Sequence, residues 1–241
     1  MNKISLTDFF SRVGYDWRRD EESLTTICYY TKSRVRDGEE EFHLTWGSEQ
    51  PFAIKAIAEW RNTVGFFEIG TGRGTACYSV ALLPSTEKIV TIDIVPHDKK
   101  KNEAIGFKPA FVSNADLYEL VPFDQKEKIR FLLRKQMKQV VKAEPESFDV
   151  CFIDGNHSSK RVIHRDFVAC EKLLKPGGLI IWDDYDPEKH KVKAVIEKVL
   201  KKDPSWNVLL LETRGGLFET ETKGPETDAG MVLMSRRPFF D

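Results

Sequence analysis

Three carboxylates and a histidine stand where apolar runs end. Phe148-Asp149-Val150-Cys151-Phe152-Ile153 runs into Asp154-Gly155-Asn156-His157, and Leu179-Ile180-Ile181-Trp182 runs into Asp183-Asp184-Tyr185. If the two runs are neighbouring strands, roughly 4.8 Å apart, Asp154 converges with the Asp183/Asp184 pair at one sheet edge. Like charges so close repel unless they are protonated or neutralised by a cation. An all-oxygen set favours Mg²⁺, with Mn²⁺ or Ca²⁺ as substitutes, over Zn²⁺, which prefers imidazole and thiolate. A competing reading makes these groups structural, with Asp183 or Asp184 capping the next element and Asp154 bracing a loop. Adjacent strand residues also point to opposite faces, so both Asp183 and Asp184 can ligate only if the chain bends there.

His157 comes soon enough after Asp154 to share its rim. An imidazole with an ordinary pKa of about 6.5 can accept a proton near neutrality, which makes it a candidate base. The alternatives are a loop histidine bonded to backbone, or a brace for Asp154. His164 reads as helix surface or packing, His43 and His97 have no motif around them, and His190 could visit the rim from a nearby loop. No two-His-plus-carboxylate motif for iron is evident.

The second constellation is Phe66-Phe67-Glu68-Ile69-Gly70-Thr71-Gly72-Arg73-Gly74-Thr75, an apolar strand entering a glycine turn that opens a helix. Glycines let backbone approach a ligand, and the helix start offers free N–H groups. A dinucleotide fingerprint is G-x-G-x-x-G, but here Gly74 comes one residue early. Glu68 at the strand end suits a cationic amino group better than a pyrophosphate. Further on, Val90-Thr91-Ile92-Asp93 ends in a carboxylate that could grip a ribose diol.

Positioning these groups requires a sheet. Strands are expected near Val64–Ile69, Lys88–Ile94, Ile129–Leu133, Phe148–Ile153, Gly178–Asp183, Trp206–Leu211 and Met231–Ser235. Several are near-continuous apolar runs, as parallel strands buried on both faces require. Helices are expected over Glu49–Trp60, Thr75–Leu83, Lys160–Leu174 and Lys189–Lys202, the third stopping at Pro176-Gly177-Gly178. Strands alternating with helices predict an α/β, doubly wound fold. The long segment Glu212 to Gly230 lacks helical periodicity and points to an antiparallel last strand. Residues 1–48 read as an N-terminal lid or dimerisation segment, which leaves 49–241 as the α/β domain. Residues 96–128 and 212–230 would shape substrate choice at the rim, with Arg214, Leu217 and Phe218 as contacts.

The formal net charge is -1, which gives no global attraction to nucleic acid or anionic lipid. Lys99-Lys100-Lys101 reads as a solvated face. Cys28, Cys77, Cys151 and Cys170 have no CxxC spacing and read as small buried hydrophobes in a reducing compartment. Met1 to Phe10 lacks the apolar region of a signal peptide, and Leu179 to Trp182 is too short to span a membrane. The expectation is a cytoplasmic protein without nucleic-acid or membrane partners, with room for a homo-oligomer.

Glu68, Gly70-x-Gly72-x-Gly74 and Asp93 together resemble the class I S-adenosylmethionine-dependent methyltransferases, over roughly Glu49 to Arg236. The resemblance implies a Rossmann-like seven-stranded sheet with an antiparallel last strand. It implies that Glu68 faces the methionine amino group, that the glycines pass beneath the cofactor and that Asp93 holds the ribose. Related proteins often carry a Gly-Asp pair at the adenine edge; this chain has Arg134-Lys135-Gln136, where the amide of Gln136 could replace that contact. The segments around Asp154 and Asp183 look like the metal-dependent O-methyltransferase branch, which includes macrolide-sugar and, more distantly, catechol-type enzymes. That likeness implies Asp154, Asp183 and Asp184 as ligands of Mg²⁺ or another divalent cation, His157 as base, and a hydroxyl of a small molecule as acceptor. Three other readings stay open: a metal-free small-molecule methyltransferase, a nucleotide-binding oxidoreductase or hydroxylase-associated protein, and a silent scaffold.

Overall fold

In the computed structural model, residues 1–32, 44, 49–99, 113–186, 190–213, 217–218 and 230–240 are described. The chain runs β1 (Asn2–Ser5), α1 (Leu6–Val13), α2 (Glu21–Lys32), α3 (Glu49–Trp60), β2 (Gly65–Ile69), α4 (Thr75–Ala81), β3 (Lys88–Asp93) and α5 (Asn114–Leu120). It continues through β4 (Ile129–Leu133), α6 (Met137–Ala143), β5 (Phe148–Ile153), α7 (Lys160–Leu173), β6 (Leu174–Trp182), α8 (Val192–Lys202), β7 (Asn207–Glu212) and β8 (Met231–Ser235). One sheet has the order β1-β7-β8-β6-β5-β2-β3-β4. Among the described strands, β8 alone runs antiparallel to its neighbours, β6 and β7.

Side chains along a strand alternate between faces, and the apolar runs fill a separate core on each. Phe66, Val150, Phe152, Leu179, Ile181 and Leu233 pack with α1, α3 and α4 residues such as Phe9, Phe52, Ile57 and Val80. Phe67, Val90, Cys151, Ile180, Trp182 and Met234 pack on the other side with Ile163, Phe167, Val195 and Ile196 of α7 and α8. This is the expected doubly wound α/β architecture.

The expected strand count of seven needs correction, because the sheet has eight strands. Asn2–Ser5 pairs in parallel with Leu209–Glu212 and covers what would otherwise be the sheet edge. Four residues of mixed polarity carry too little alternation to read as a strand. Behind β1, Ser5 caps α1 by accepting from the Asp8 N–H, and α1 buries Leu6, Phe9 and Phe10. Lys55 of α3 is 4 % exposed and ties down the turn before α2 through a 2.6 Å ion pair with Asp20. β6 also begins at Leu174, earlier than Pro176-Gly177-Gly178 suggested, because Leu174 already pairs with Phe148 across an irregular register.

Among the described residues, no helix is long and apolar enough to cross a membrane. Cys28, Cys77, Cys151 and Cys170 are buried thiols, none of them in a disulfide. Arg214 and His43 lie outside the described residues, as do Lys100 and Lys101.

Candidate active site

The strand order reverses between β2 and β5, and open α/β sheets bind ligands outside the carboxyl ends of the strands at such a point. Backbone hydrogen bonds knit the three strand ends together there. The Gly70 N–H donates to the Ile92 carbonyl at 2.8 Å, and the Asp154 N–H to the Ile69 carbonyl at 2.8 Å. Gly70 must be glycine on two counts. Its φ is +97°, and a Cβ would stand 1.9 Å from the Asp154 carbonyl oxygen, a backbone atom that cannot swing away. Gly72, at φ +54°, has nothing within 4 Å of the same construction and faces open space. Gly74 is the N-cap of α4.

These two glycines should therefore respond differently to one methyl group. Gly70→Ala is expected to cost about 3–5 kcal/mol, from left-handed strain plus the backbone collision. Gly72→Ala should cost only the strain, about 1–2 kcal/mol. Urea unfolding of both variants measures this, and equal losses would contradict the geometry.

Glu68 is 1 % exposed at the carboxyl end of β2. The Thr91 hydroxyl donates to its Oε2 at 2.5 Å, and the Thr71 and Thr91 hydroxyls lie 2.6 Å apart. A buried carboxylate held this way is fixed in direction. Asp93 accepts from the Gly72 N–H at 3.1 Å on Oδ2 and from the Val95 N–H at 3.0 Å on Oδ1. It thus staples the turn, and a carboxylate's four lone-pair sites let it accept from a ligand as well. Gln136 lies beside the end of β4, where its amide oxygen accepts from the Leu133 N–H at 2.8 Å. The donor side of that amide is what it can offer a ligand.

The acidic residues converge at the strand ends. Ligand oxygens of Asp154, Asp183 and Asp184 all lie within 4.8 Å of one another. The required bend is present, since Asp184 has φ +51° and leaves the extended path just after Trp182. Gln50 of α3 donates to Asp183 Oδ2 at 2.5 Å and orients that carboxylate. Three half-buried carboxylates converging on one point have the donor chemistry of a hard divalent cation.

His157 lies between two of these groups. Its Nε2 is 3.4 Å from Asp154 Oδ1, and its Nδ1 is 2.8 Å from Asp184 Oδ2. Burial alone would lower its pKa, but the contacts with Asp154 and Asp184 outweigh this and push it up to about 10. Without a cation the imidazolium is the rim's counter-charge. The folded protein keeps a proton that the unfolded chain releases near pH 6.5. The resulting stabilisation is complete below about pH 6.5 and is lost as pH rises toward about 10. Urea stability of the cation-free protein should therefore fall across that window, and His157→Gln should flatten the fall. Parallel curves for the two proteins would contradict the assignment.

Several contributors carry no local sequence signal. Gln50 reaches the site only through the fold, and Thr71 and Thr91, though inside the quoted segments, gave no sign of their role beside Glu68. His190 also arrives at the rim, with Nε2 3.8 Å from Asp184 Oδ2 and its ring 5.4 Å from that of His157. Trp182, at the end of β6, belongs to the core; it is fully buried, stacks on Phe167 and donates to Met234 Sδ at 3.0 Å. Leu217 and Phe218 do come to the site's flank, where their N–H groups donate to Glu49 Oε1 at 2.8 and 3.2 Å. There Phe218 packs edge-on against Trp17 and Phe52, with ring centroids 5.6 and 5.3 Å away.

Residues 67–185, which hold the glycine turn and the acidic rim, match a protein family described as a methyltransferase domain. No curated protein matches the chain. Among solved structures, the O-methyltransferase TomG from Streptomyces achromogenes, involved in tomaymycin synthesis and bound to S-adenosylmethionine, is 17% identical. That match covers 87% of this chain and 88% of TomG, with a TM-score of 0.53. An O-methyltransferase from Bacillus cereus is 14% identical over 94% of this chain and 99% of its own, with a TM-score of 0.54. A Podospora anserina methyltransferase is 16% identical over 90% and 88%, with a TM-score of 0.56. The last two are bound to S-adenosylhomocysteine.

Proposed function

We propose, from the match of residues 67–185 to a methyltransferase-domain family, that this protein transfers a methyl group from S-adenosylmethionine to a hydroxyl of a small molecule, with help from a divalent cation. The observation that carries the reading is the pairing of two constellations at one sheet edge. The Glu68–glycine–Asp93 turn and the Asp154/Asp183/Asp184 rim are bonded directly, through the Asp154 N–H to the Ile69 carbonyl. One suits a sulfonium nucleoside and the other an oxygen acceptor beside it.

S-adenosylmethionine supplies an electrophilic methyl, and a hard cation such as Mg²⁺ supplies charge that lowers the pKa of an acceptor hydroxyl. The chain's own residues do the rest. Glu68 offers a buried, fixed carboxylate to a cationic amino group, Asp93 offers lone pairs to a diol, and the open face of Gly72 leaves room for the ligand's body. Asp154, Asp183 and Asp184 would hold the cation, with Gln50 fixing Asp183. His157 stands within reach of the same rim and takes the acceptor's proton once the carboxylates around it are neutralised. Holding the two reactants side by side supplies much of the rate through orientation. Trp17 and Phe218, backed by the buried ring of Phe52, offer an aromatic wall for the acceptor next to the Gln50 end of α3. Four buried cysteine thiols support a reducing, cytoplasmic setting.

Asp93→Ala tests the cofactor half. Its loss removes two charge-assisted hydrogen bonds to a ribose along with the staple on Gly72, so S-adenosylmethionine affinity should fall about 100-fold or more. Equilibrium binding to the folded variant measures this. Unchanged affinity would remove Asp93 from the site.

A further inference from the structure

The rim gathers a second donor set that sequence spacing did not reveal. Ligand atoms of His157, Asp184 and His190 also lie within 4.8 Å of one another, sharing Asp184 with the all-carboxylate set. We propose that His157, Asp184 and His190 form a distinct cation site of two imidazoles and one carboxylate, selective for a borderline transition ion such as Co²⁺ or Zn²⁺ over Mg²⁺.

Three observations support this. The separations fit one ion: Asp184 Oδ2 is 2.8 Å from His157 Nδ1 and 3.8 Å from His190 Nε2. Ligand atoms around an ion with bonds of about 2.1 Å sit roughly 3–4 Å apart. His157 Nδ1 is also buried without an aligned hydrogen bond, although Asp184 Oδ2 is so near. As a neutral ring with its proton on Nε2, His157 can present Nδ1 to a cation beside Asp184 Oδ2. Finally, the backbone builds the pair. The Lys191 N–H donates to the His157 carbonyl at 2.8 Å, and the His190 N–H to the Asp186 carbonyl at 3.0 Å, so both rings are held from the main chain.

Imidazole donors select borderline ions, whereas Mg²⁺ takes oxygen. Because Asp184 and His157 are shared, an ion here removes one oxygen ligand and the candidate base from the methyl-transfer site. On the methyl-transfer reading, Zn²⁺ or Co²⁺ therefore inhibits. The binding claim itself rests on geometry alone and survives if no methyl transfer is found.

The test is a Co²⁺ titration of the metal-stripped protein, with affinity read from visible absorption and bound imidazoles counted from paramagnetically shifted ring N–H resonances. Wild type should show two such resonances. His190→Ala and the more conservative His190→Gln should each show one and bind Co²⁺ at least about tenfold more weakly, while Mg²⁺ affinity by calorimetry stays within about twofold. Wild-type spectra with fewer than two shifted imidazoles would overturn the proposal. So would unchanged Co²⁺ affinity in both variants, or an equal weakening of Mg²⁺, which would make His190 a support for Asp184 only.

Discussion

Removing divalent cations is expected to lower methyl transfer about 10²–10³-fold while S-adenosylmethionine affinity changes little. The magnitude corresponds to a few kcal/mol of charge stabilisation at the acceptor oxygen, at about 1.4 kcal/mol per decade of rate. The separation of effects comes from the architecture. Glu68 and Asp93 are held by Thr91 and by backbone N–H groups. Neither hold uses the carboxylates of the acidic rim. Chelation with metal content verified, then add-back of Mg²⁺, should abolish and restore turnover. Asp183→Asn and Asp184→Asn should mimic chelation, leaving cofactor binding within about threefold. Full turnover in a protein shown to be metal-free would instead favour a metal-free methyltransferase whose acidic cluster is structural.

Replacing His157 should have the next largest effect. Loss of a general base lowers kcat about 10²–10⁴-fold, so His157→Ala should fall in that range with any hydroxylated acceptor that turns over. The pKa of this group makes the pH dependence informative. Beside Asp154 and Asp184 the imidazole is pushed up to about 10, too high to serve as a base at neutral pH. A cation on the rim would neutralise those carboxylates and let the ring lose its proton at a lower pH. The wild-type rate should therefore rise with pH through an apparent pKa that drops as metal is added. The variant should recover activity at high pH, where bulk hydroxide replaces the missing base. If His157 only braces Asp154, the substitution should weaken Mg²⁺ binding and excess Mg²⁺ should restore the rate. A variant with the wild-type rate and pH profile at saturating metal would exclude the base role.

The sequence made the middle of this chain legible and its flanks opaque, for physical reasons. Strands such as Phe148–Ile153 and the expected run at Gly178–Asp183 are buried on both faces, so their apolar runs announce them, and the acidic residues ending them stand out by contrast. Gly70 and Gly72 were legible because positive φ restricts residue choice. The N-terminal strand Asn2–Ser5 was not, since its place depends on pairing with Leu209–Glu212, more than two hundred residues away. Helix α5 was hidden because it is only seven residues long, started by the capping box that Ser113 closes with Asp116. Gln50 and His190 belong to no motif and join the site solely because α3 and the segment before α8 pack over the same sheet edge. Seven strands were expected; the eighth, Asn2–Ser5, joins at the β7 edge.

The most direct test of the central claim is calorimetric titration of the protein with S-adenosylmethionine and with NAD, each with and without Mg²⁺. Early placement of Gly74 and the buried carboxylate of Glu68 predict saturable binding of S-adenosylmethionine in both conditions and no heat from NAD. Binding of NAD without binding of S-adenosylmethionine would contradict the account.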